Sequence, residues 1–176
     1  MNLSQFAAAI ENTALRQVFD CWRAARIDRR APAWAAIDAM DDPIVQEYGW
    51  AWQLDAASDQ LICFLMGPRL RANYGADAVG RSVHDYYPDH LRDTVDRNFR
   101  EVIGHPLLRR GHGLIYWREG RADLGERILL PIRLGSAEAP DAVLGATEAD
   151  YTMLGAIAPA TQPPIHDVER APLYED

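Results

Sequence analysis

Four of the five histidines in the chain fall between residues 84 and 112. Histidine is the side chain that most often binds metals and transfers protons near neutral pH. His84, His90, His105 and His112 nevertheless lack the local spacing of a metal site, such as two histidines four residues apart on one helix with a third ligand. The spacing is typical of surface or capping histidines, and the sequence predicts no metal site.

The two cysteines, Cys21 and Cys63, are the next candidates for chemistry. They lie in segments that have the patterns of a helix and a buried strand, and neither has a partner at the spacing of a zinc or redox motif. The sequence therefore predicts two reduced thiols in the core.

Familiar catalytic motifs do not occur in the sequence. There is no nucleophile elbow, phosphate-binding loop or pair of carboxylates. Gly111 and Gly113 flank His112 in a strand pattern, which favours a bulge or a close backbone approach over a nucleotide loop. If the protein were an enzyme, Asp85 or His112 would be the candidate base, placed in an apolar pocket that shifts its pKa.

Composition restricts the possible partners. The chain has 176 residues, enough for one domain with elaborations, and its net charge is −8. An acidic protein is a poor match for nucleic acid or an anionic membrane surface. No segment approaches the roughly twenty apolar residues of a membrane helix, and the N-terminus has no basic leader, so we expect a cytoplasmic protein.

An apolar run followed by a Gly-Pro break marks the middle of the fold. The segment Gln60–Met66 is apolar after its first residue, which predicts a strand covered on both faces. Gly67 and Pro68 end this strand, because proline has no amide hydrogen for a ladder but suits the first turn of a helix. A short helix is predicted from Pro68 to Tyr74.

Hydrophobic periodicity gives the remaining elements. Two amphipathic helices are predicted before residue 26 and a long helix from Pro88 or Asp89 to Gly104. Pro131 suggests that its strand lies at an edge or contains a bulge. The other predicted strands span residues 50–54, 107–117, 126–134 and 142–150.

This order of elements predicts an α+β fold with a five-stranded antiparallel sheet, helices gathered on one face, and an N-terminal helical extension. We divide the chain into an N-terminal helical cap (1–46), the α+β domain (47–150) and a Pro-rich acidic tail (151–176). The tail is expected to be disordered or laid along a surface.

The order and spacing of several short motifs resemble a PAS domain, and more narrowly a family of small stand-alone bacterial PAS proteins. The resemblance covers most of residues 15–150, but Ala39, Cys63 and Pro68 depart from the family's usual residues. The matching residues are Trp22, Ile37-Asp38, Pro43, Gln60 to Arg69, Tyr74-Gly75, Gly80, Gly104-His105-Pro106, Ile128 to Pro131 and Val143 to Ala146.

The resemblance implies that any ligand lies between the sheet and the long helix. Leu61, Cys63 and Leu65 would then face Leu91, Val95 and Phe99 of that helix, although a plain apolar core explains the same residues. Arg69 could clamp a carboxylate, or it could simply pair with Asp77 or Asp85. The candidate ligand-binding residues are Leu61, Cys63, Leu65, Arg69, Tyr74, Val95, Phe99, His112 and Tyr116.

The opposite face of the same strand would carry Ile62, Phe64 and Met66. An exposed apolar stripe would be anomalous, so we expect it to be covered by the helix Leu15–Ala25, by a partner subunit, or by both. The resemblance implies a homodimer built on this face. The candidate interface residues are Leu15, Val18, Phe19, Trp22, Ile62, Phe64 and Met66.

Two cofactors known from PAS domains are disfavoured. A haem-binding PAS domain would need a histidine on the inner face of the long helix, where this sequence has Leu91, Val95 and Phe99. The photosensory flavin class needs a cysteine within an Asn-Cys-Arg-Phe-Leu-Gln-like helical stretch, whereas Cys63 lies in a strand pattern.

The resemblance implies a non-catalytic sensory, signalling or protein-interaction module that contacts another signalling protein. It could hold a small apolar or amphipathic ligand. Two alternatives remain open: a small cystatin-like α+β enzyme of isomerase or hydratase type, and a ligand-free dimeric scaffold. The interior distinguishes them, because an apolar cavity favours the sensor, a buried acid–base pair the enzyme, and a closed core the scaffold.

Overall fold

The computed structural model describes residues 1–74, 77–118, 121–150 and 165–173, without the side chains of residues 73, 74, 114, 116–118, 121–123, 150 and 165–167. The elements within these ranges are α1 (Leu3–Ala9), α2 (Thr13–Ala24), α3 (Trp34–Asp38), α4 (Pro43–Tyr48), β1 (Gly49–Asp55), β2 (Gln60–Met66), α5 (Pro68–Tyr74), α6 (Val83–Tyr86), α7 (Asp89–Gly104), β3 (Leu107–Arg118), β4 (Arg121–Ile132), β5 (Ala142–Asp150) and β6 (Ile165–Pro172).

All six strands form one sheet in the order β2-β1-β5-β4-β3-β6, and every neighbouring pair is antiparallel. The chain order of two strands, short helices, one long helix and three strands is the order that the PAS resemblance implies. The predicted α+β class and PAS-like arrangement are confirmed. The sheet has six strands rather than five, because residues 165–172, predicted as part of the tail, pair with β3.

Helices cover both faces of the sheet, not one. The helices α5, α6 and α7 pack on the inner face, defined here as the face that carries Trp50, Trp52 and Leu129. The N-terminal helices pack on the outer face, which carries Ala51, Leu144 and further aliphatic side chains of β4 and β5. Each face therefore contributes to its own hydrophobic core.

Local sequence signals set the N-terminal helices in place. Asn2 caps α1 in a capping box with Gln5, and the Asn12 side chain accepts hydrogen bonds from the backbone N–H groups of Ala14 and Leu15 to cap α2. Asp42 caps α4 in the same way, followed by Pro43 in its first turn.

Pro131 lies in β4, an interior strand between β5 and β3. It pairs with Val143 on one side but lies past the last β3 partner, Arg109 opposite Leu129. Its missing N–H therefore costs no bond to β3, and its carbonyl accepts a 2.8 Å hydrogen bond from the buried indole N–H of Trp22.

Among the described residues, no helix combines the length and apolarity needed to cross a membrane.

Candidate functional site

A β-bulge decides which side chains of β2 face the long helix α7. Ala51 pairs with Leu65 and Trp52 pairs with Cys63, so Phe64 is the extra residue between the two pairs. A one-residue shift moves every later side chain to the opposite face. Leu61 and Cys63 therefore point to the inner face as predicted, while Leu65 packs in the outer core and Met66 in the inner one.

The predicted faces of Leu65 and Met66 were wrong for this reason. Both residues are apolar and both faces of β2 are covered, so the bulge exchanges them without exposing an apolar group to water. Of the candidate ligand-binding residues whose side chains are described, Leu61, Cys63, Val95 and Phe99 lie on the inner face.

Aromatic side chains fill the space between the sheet and α7. Trp50 and Trp52 alternate on β1, so both project to the inner face, and each is 1% exposed. Their ring centroids lie 5.3 and 6.0 Å from that of Phe99 on α7, in tilted packing. Tyr87 lies 5.8 Å from Trp52 and extends the cluster towards α6.

The sequence pattern contained the signal for this cluster. Alternation of two tryptophans with Ala51 and Gln53 places both large rings on one face, yet the predicted ligand site omitted them. These two indoles occupy the region where the resemblance places a ligand.

The polar end of Trp50 is satisfied within the cluster. Its indole N–H donates to the hydroxyl oxygen of Thr147 at 3.0 Å, and the Arg127 Nε–H donates to the same oxygen at 3.0 Å. The guanidinium of Arg127 lies over the indole ring, 5.7 Å from the ring centroid. Gly145 gives the ring its space, because a Cβ there would lie 2.2 Å from Trp50.

A cavity of about 20 Å³ remains under α7, lined by Val95, Phe99, Leu129 and neighbours. That volume suits a water molecule or two but not a metabolite, since small-molecule sites measure about 300–1,000 Å³. Within the described residues the inner core at this position is closed.

Cys63 belongs to the inner core, and it is 2% exposed. Burial raises the pKa of its thiol to about 12. The pKa of Cys21 is raised to about 11, first by burial and then by its hydrogen bond to Asp42. Both are free thiols rather than thiolates at neutral pH, and a thiol is a poor nucleophile.

Arg69 forms a long-range ion pair and does not point into the inner core. Its Nε–H donates to Glu148 at 3.0 Å, a second guanidinium nitrogen bonds the other carboxylate oxygen, and the guanidinium lies 5.6 Å from the ring centroid of Tyr48. Glu148 is therefore its partner, rather than the expected Asp77 or Asp85. Asp77 pairs with Arg71 instead.

Of the other polar candidates, His112 is the one whose side chain is described, and it does not lie on the inner face. His112 is exposed and lies opposite Glu126 in the β3–β4 register, beside an outer-face cavity of about 240 Å³. The side chains of Tyr74 and Tyr116 fall outside the described ones. No group of three or more metal-ligating side chains occurs in the described part of the chain.

The candidate interface residues on α2 are buried in their own subunit. Leu15, Val18, Phe19 and Trp22 are all 0% exposed in the outer core. The helix α2 packs on β4 and β5 rather than on the β2 stripe that it was expected to cover, and these four side chains have no surface left for a partner.

The three interface candidates on β2 have different surroundings. Phe64 packs edge-on against Trp34 of α3, with ring centroids 5.8 Å apart. Ile62 is half-buried at the sheet edge, where it bridges to Ser82. Met66, as described, lies in the inner core.

A buried ion network on the outer face was not foreseen from sequence. Arg110 is 5% exposed, and its guanidinium bonds the carboxylates of Glu126, Glu169 and Glu11. Glu126 also accepts the backbone N–H groups of Glu11 and Asn12 at 3.1 and 2.7 Å. The network fastens the α1–α2 junction to the sheet; it joins residues up to 115 positions apart, so no local pattern reveals it.

Fold and interior together define an α+β protein with PAS-like chain order and a packed inner core. No protein-family model matches the chain, and no curated protein matches it. Among solved structures, it is similar to an RNA-binding light-oxygen-voltage receptor, with 14% identity and a TM-score of 0.40. The match covers 80% of this chain and 34% of the receptor chain, so this chain spans about a third of that protein. A likeness this distant carries no functional argument.

Proposed function

We propose that the protein is a non-catalytic, PAS-type signalling or protein-interaction module that works with a packed interior rather than with a ligand beneath its long helix. The observation that carries this proposal is the closed inner core. Trp50, Trp52 and Phe99 occupy the space between sheet and α7, and about 20 Å³ remains there.

The enzyme alternative lacks support at both of its candidate bases. Asp85 is exposed at the start of α6, where hydrogen bonds from Ser82 lower its pKa. An activated carboxylate base in an apolar pocket would instead have a raised pKa. His112 is exposed on the outer face, away from the inner aromatic cluster.

A module with a packed interior acts through its surface. Its partner is a second copy of the chain, a separate signalling protein, or both. A second copy would have to use surface other than the four α2 side chains that the outer core already buries completely.

Native mass spectrometry of the full chain, purified from its own host, tests this proposal. We expect 19.7 kDa or an integral multiple of it, with no additional mass from a molecule held beneath α7. The multiple gives the subunit count directly. A stoichiometric small molecule that is lost in a Trp52→Phe or Phe99→Leu variant, both of which keep an apolar interior, would contradict the packed-interior proposal.

A further inference from the structure

An open groove of about 670 Å³ lies between α7 and the strands β3 and β6. It is on the flank of α7, and Asn98 and Arg109 line both this groove and the small cavity under α7. Four guanidinium groups and two carboxylates line it, an excess of two positive charges in a protein of net charge −8. These charged residues are Asp96, Arg97, Arg100, Glu101, Arg109 and Arg170.

The four arginines of the groove are not equally neutralised. Arg100 is paired with both Asp96 and Asp59. Glu101 alone serves two guanidinium groups, accepting from Arg109 at 2.6 Å and from Arg170 at 2.9 Å. Of the other three arginines, Arg109 and Arg170 therefore share one carboxylate, and Arg97 does not contact it.

Arg109 and Arg97 have unused capacity for an anion. Arg109 is only 12% exposed in its side chain and uses one N–H donor, to Glu101; its other donors have no acceptor among the described residues. Arg97 is exposed and forms no ion pair within the described ranges. Burial lowers the pKa of Arg109; attraction to Glu101 opposes that shift, and the charges of Arg170 and Arg97 add to it.

We propose that this groove binds a small multivalent oxyanion, a molecule that carries a phosphate group or several carboxylates, between Arg97, Arg109 and Arg170. Guanidinium groups bind such anions in bidentate fashion, and a partly buried one does so with less competition from water. The volume lies within the range of small-molecule sites. The inference does not depend on the proposed function, because none of Trp50, Trp52 and Phe99, on which that proposal rests, lines the groove.

Isothermal titration calorimetry on the full chain at low ionic strength tests the site with inorganic pyrophosphate and with citrate as probes. We expect saturable binding at one site per chain. The Arg97→Gln/Arg170→Gln double variant should bind at least tenfold more weakly. The Arg23→Gln/Arg30→Gln double variant is the matched control, because it removes the same charge from exposed ion pairs outside the groove, and should bind as the wild type does.

The two probes distinguish the source of the oxyanion: tighter pyrophosphate binding assigns phosphate chemistry, and tighter citrate binding assigns a polycarboxylate. An equal loss in both double variants would indicate a general charge effect and overturn the site. So would wild-type protein that binds neither probe. As a second measurement, Glu101→Gln should bind more tightly than Glu138→Gln, since Glu101 competes for the guanidinium groups; equal or weaker binding would contradict the assignment.

Discussion

Glu126 makes contacts across 114 and 115 positions of the sequence. It pairs with buried Arg110 and accepts the two backbone N–H groups at the α1–α2 junction. Removing one partner of such a buried network lowers the free energy of unfolding, because the remaining charge and N–H donors stay buried without compensation.

We expect Glu126→Gln to lower the free energy of unfolding by about 3 kcal/mol, at the low end for a broken buried pair because Arg110 keeps two other carboxylates. Urea denaturation at pH 7 measures the change. Glu138→Gln is the control, since it breaks only the exposed pair with Arg30 and should cost less than about 0.5 kcal/mol. Similar losses in the two variants would show that the network is not buried in solution.

Asp42 gives a prediction for acid stability. Burial works to raise its pKa, but hydrogen bonds from Gln17 and from the backbone of Ile44 outweigh that effect, and the net pKa is lowered. A lowered pKa means that the carboxylate stabilises the fold above its unfolded pKa, near 3.9, and that this stabilisation is lost as the pH falls through the folded value.

We therefore expect Asp42→Ala to cost about 1 kcal/mol at pH 7, through loss of the helix cap, with the difference from wild type shrinking below about pH 4. Asp42→Asn keeps a capping side chain that does not titrate, so its stability should depend less on pH in the same range. Urea denaturation at a series of pH values measures both. A cost for Asp42→Ala that stays constant down to pH 2 would refute the role of the carboxylate.

At the scale of elements, α2 is the helix that closes the outer face. Trp22 is 0% exposed and donates to the Pro131 carbonyl, so it joins the helix to β4 by packing and by a hydrogen bond. We expect Trp22→Ala to cost about 4 kcal/mol, the usual range for removing a buried tryptophan. The measurement is denaturant unfolding followed by circular dichroism.

Arg23, the next residue on α2, is the control for that prediction. It is half-exposed and pairs with Asp20 at 2.9 Å, one turn earlier. Arg23→Ala should cost less than about 1 kcal/mol. Equal losses of unfolding free energy in Trp22→Ala and Arg23→Ala would show that α2 does not pack on the sheet.

Sequence predicted the elements best where two independent signals agreed. The bounds of β2 and α5 match the structure, because an apolar run ends at a Gly-Pro break that only one local conformation accommodates. The long helix was predicted to start at Pro88 or Asp89 and to end at Gly104, and α7 spans Asp89–Gly104. The signals were an acidic residue near the start of the apolar period and a glycine at its end.

The failures have physical causes of another kind. The bulge at Phe64 leaves no trace in the apolar pattern, because either register buries the same types of side chain. The pair of Arg69 with Glu148 and the pairing of residues 165–172 with β3 depend on contacts distant in sequence. Local periodicity carries no information about such contacts.

At the scale of the whole molecule, two helical layers enclose one sheet, and this arrangement changes how dimerisation can be examined. Phe64 packs against Trp34 within the subunit, so Phe64→Asp would destabilise the fold as well as any dimer. The subunit count is better measured on the unmodified chain, and a homodimer remains a proposal that concerns other surfaces.

The central claim is that the interior beneath α7 is full. Removing a large ring should therefore create an apolar binding site that the wild type lacks, as engineered cavities do. Trp52→Ala removes the ring that contacts Phe99 and Tyr87.

The most direct measurement is the thermal midpoint of both proteins with and without indole, since a ligand that binds the folded state raises the midpoint. We predict that indole raises the midpoint of Trp52→Ala, which starts lower than wild type, and leaves the wild type unchanged. A wild-type protein stabilised by indole as strongly as the variant would contradict the packed interior and the function proposed from it.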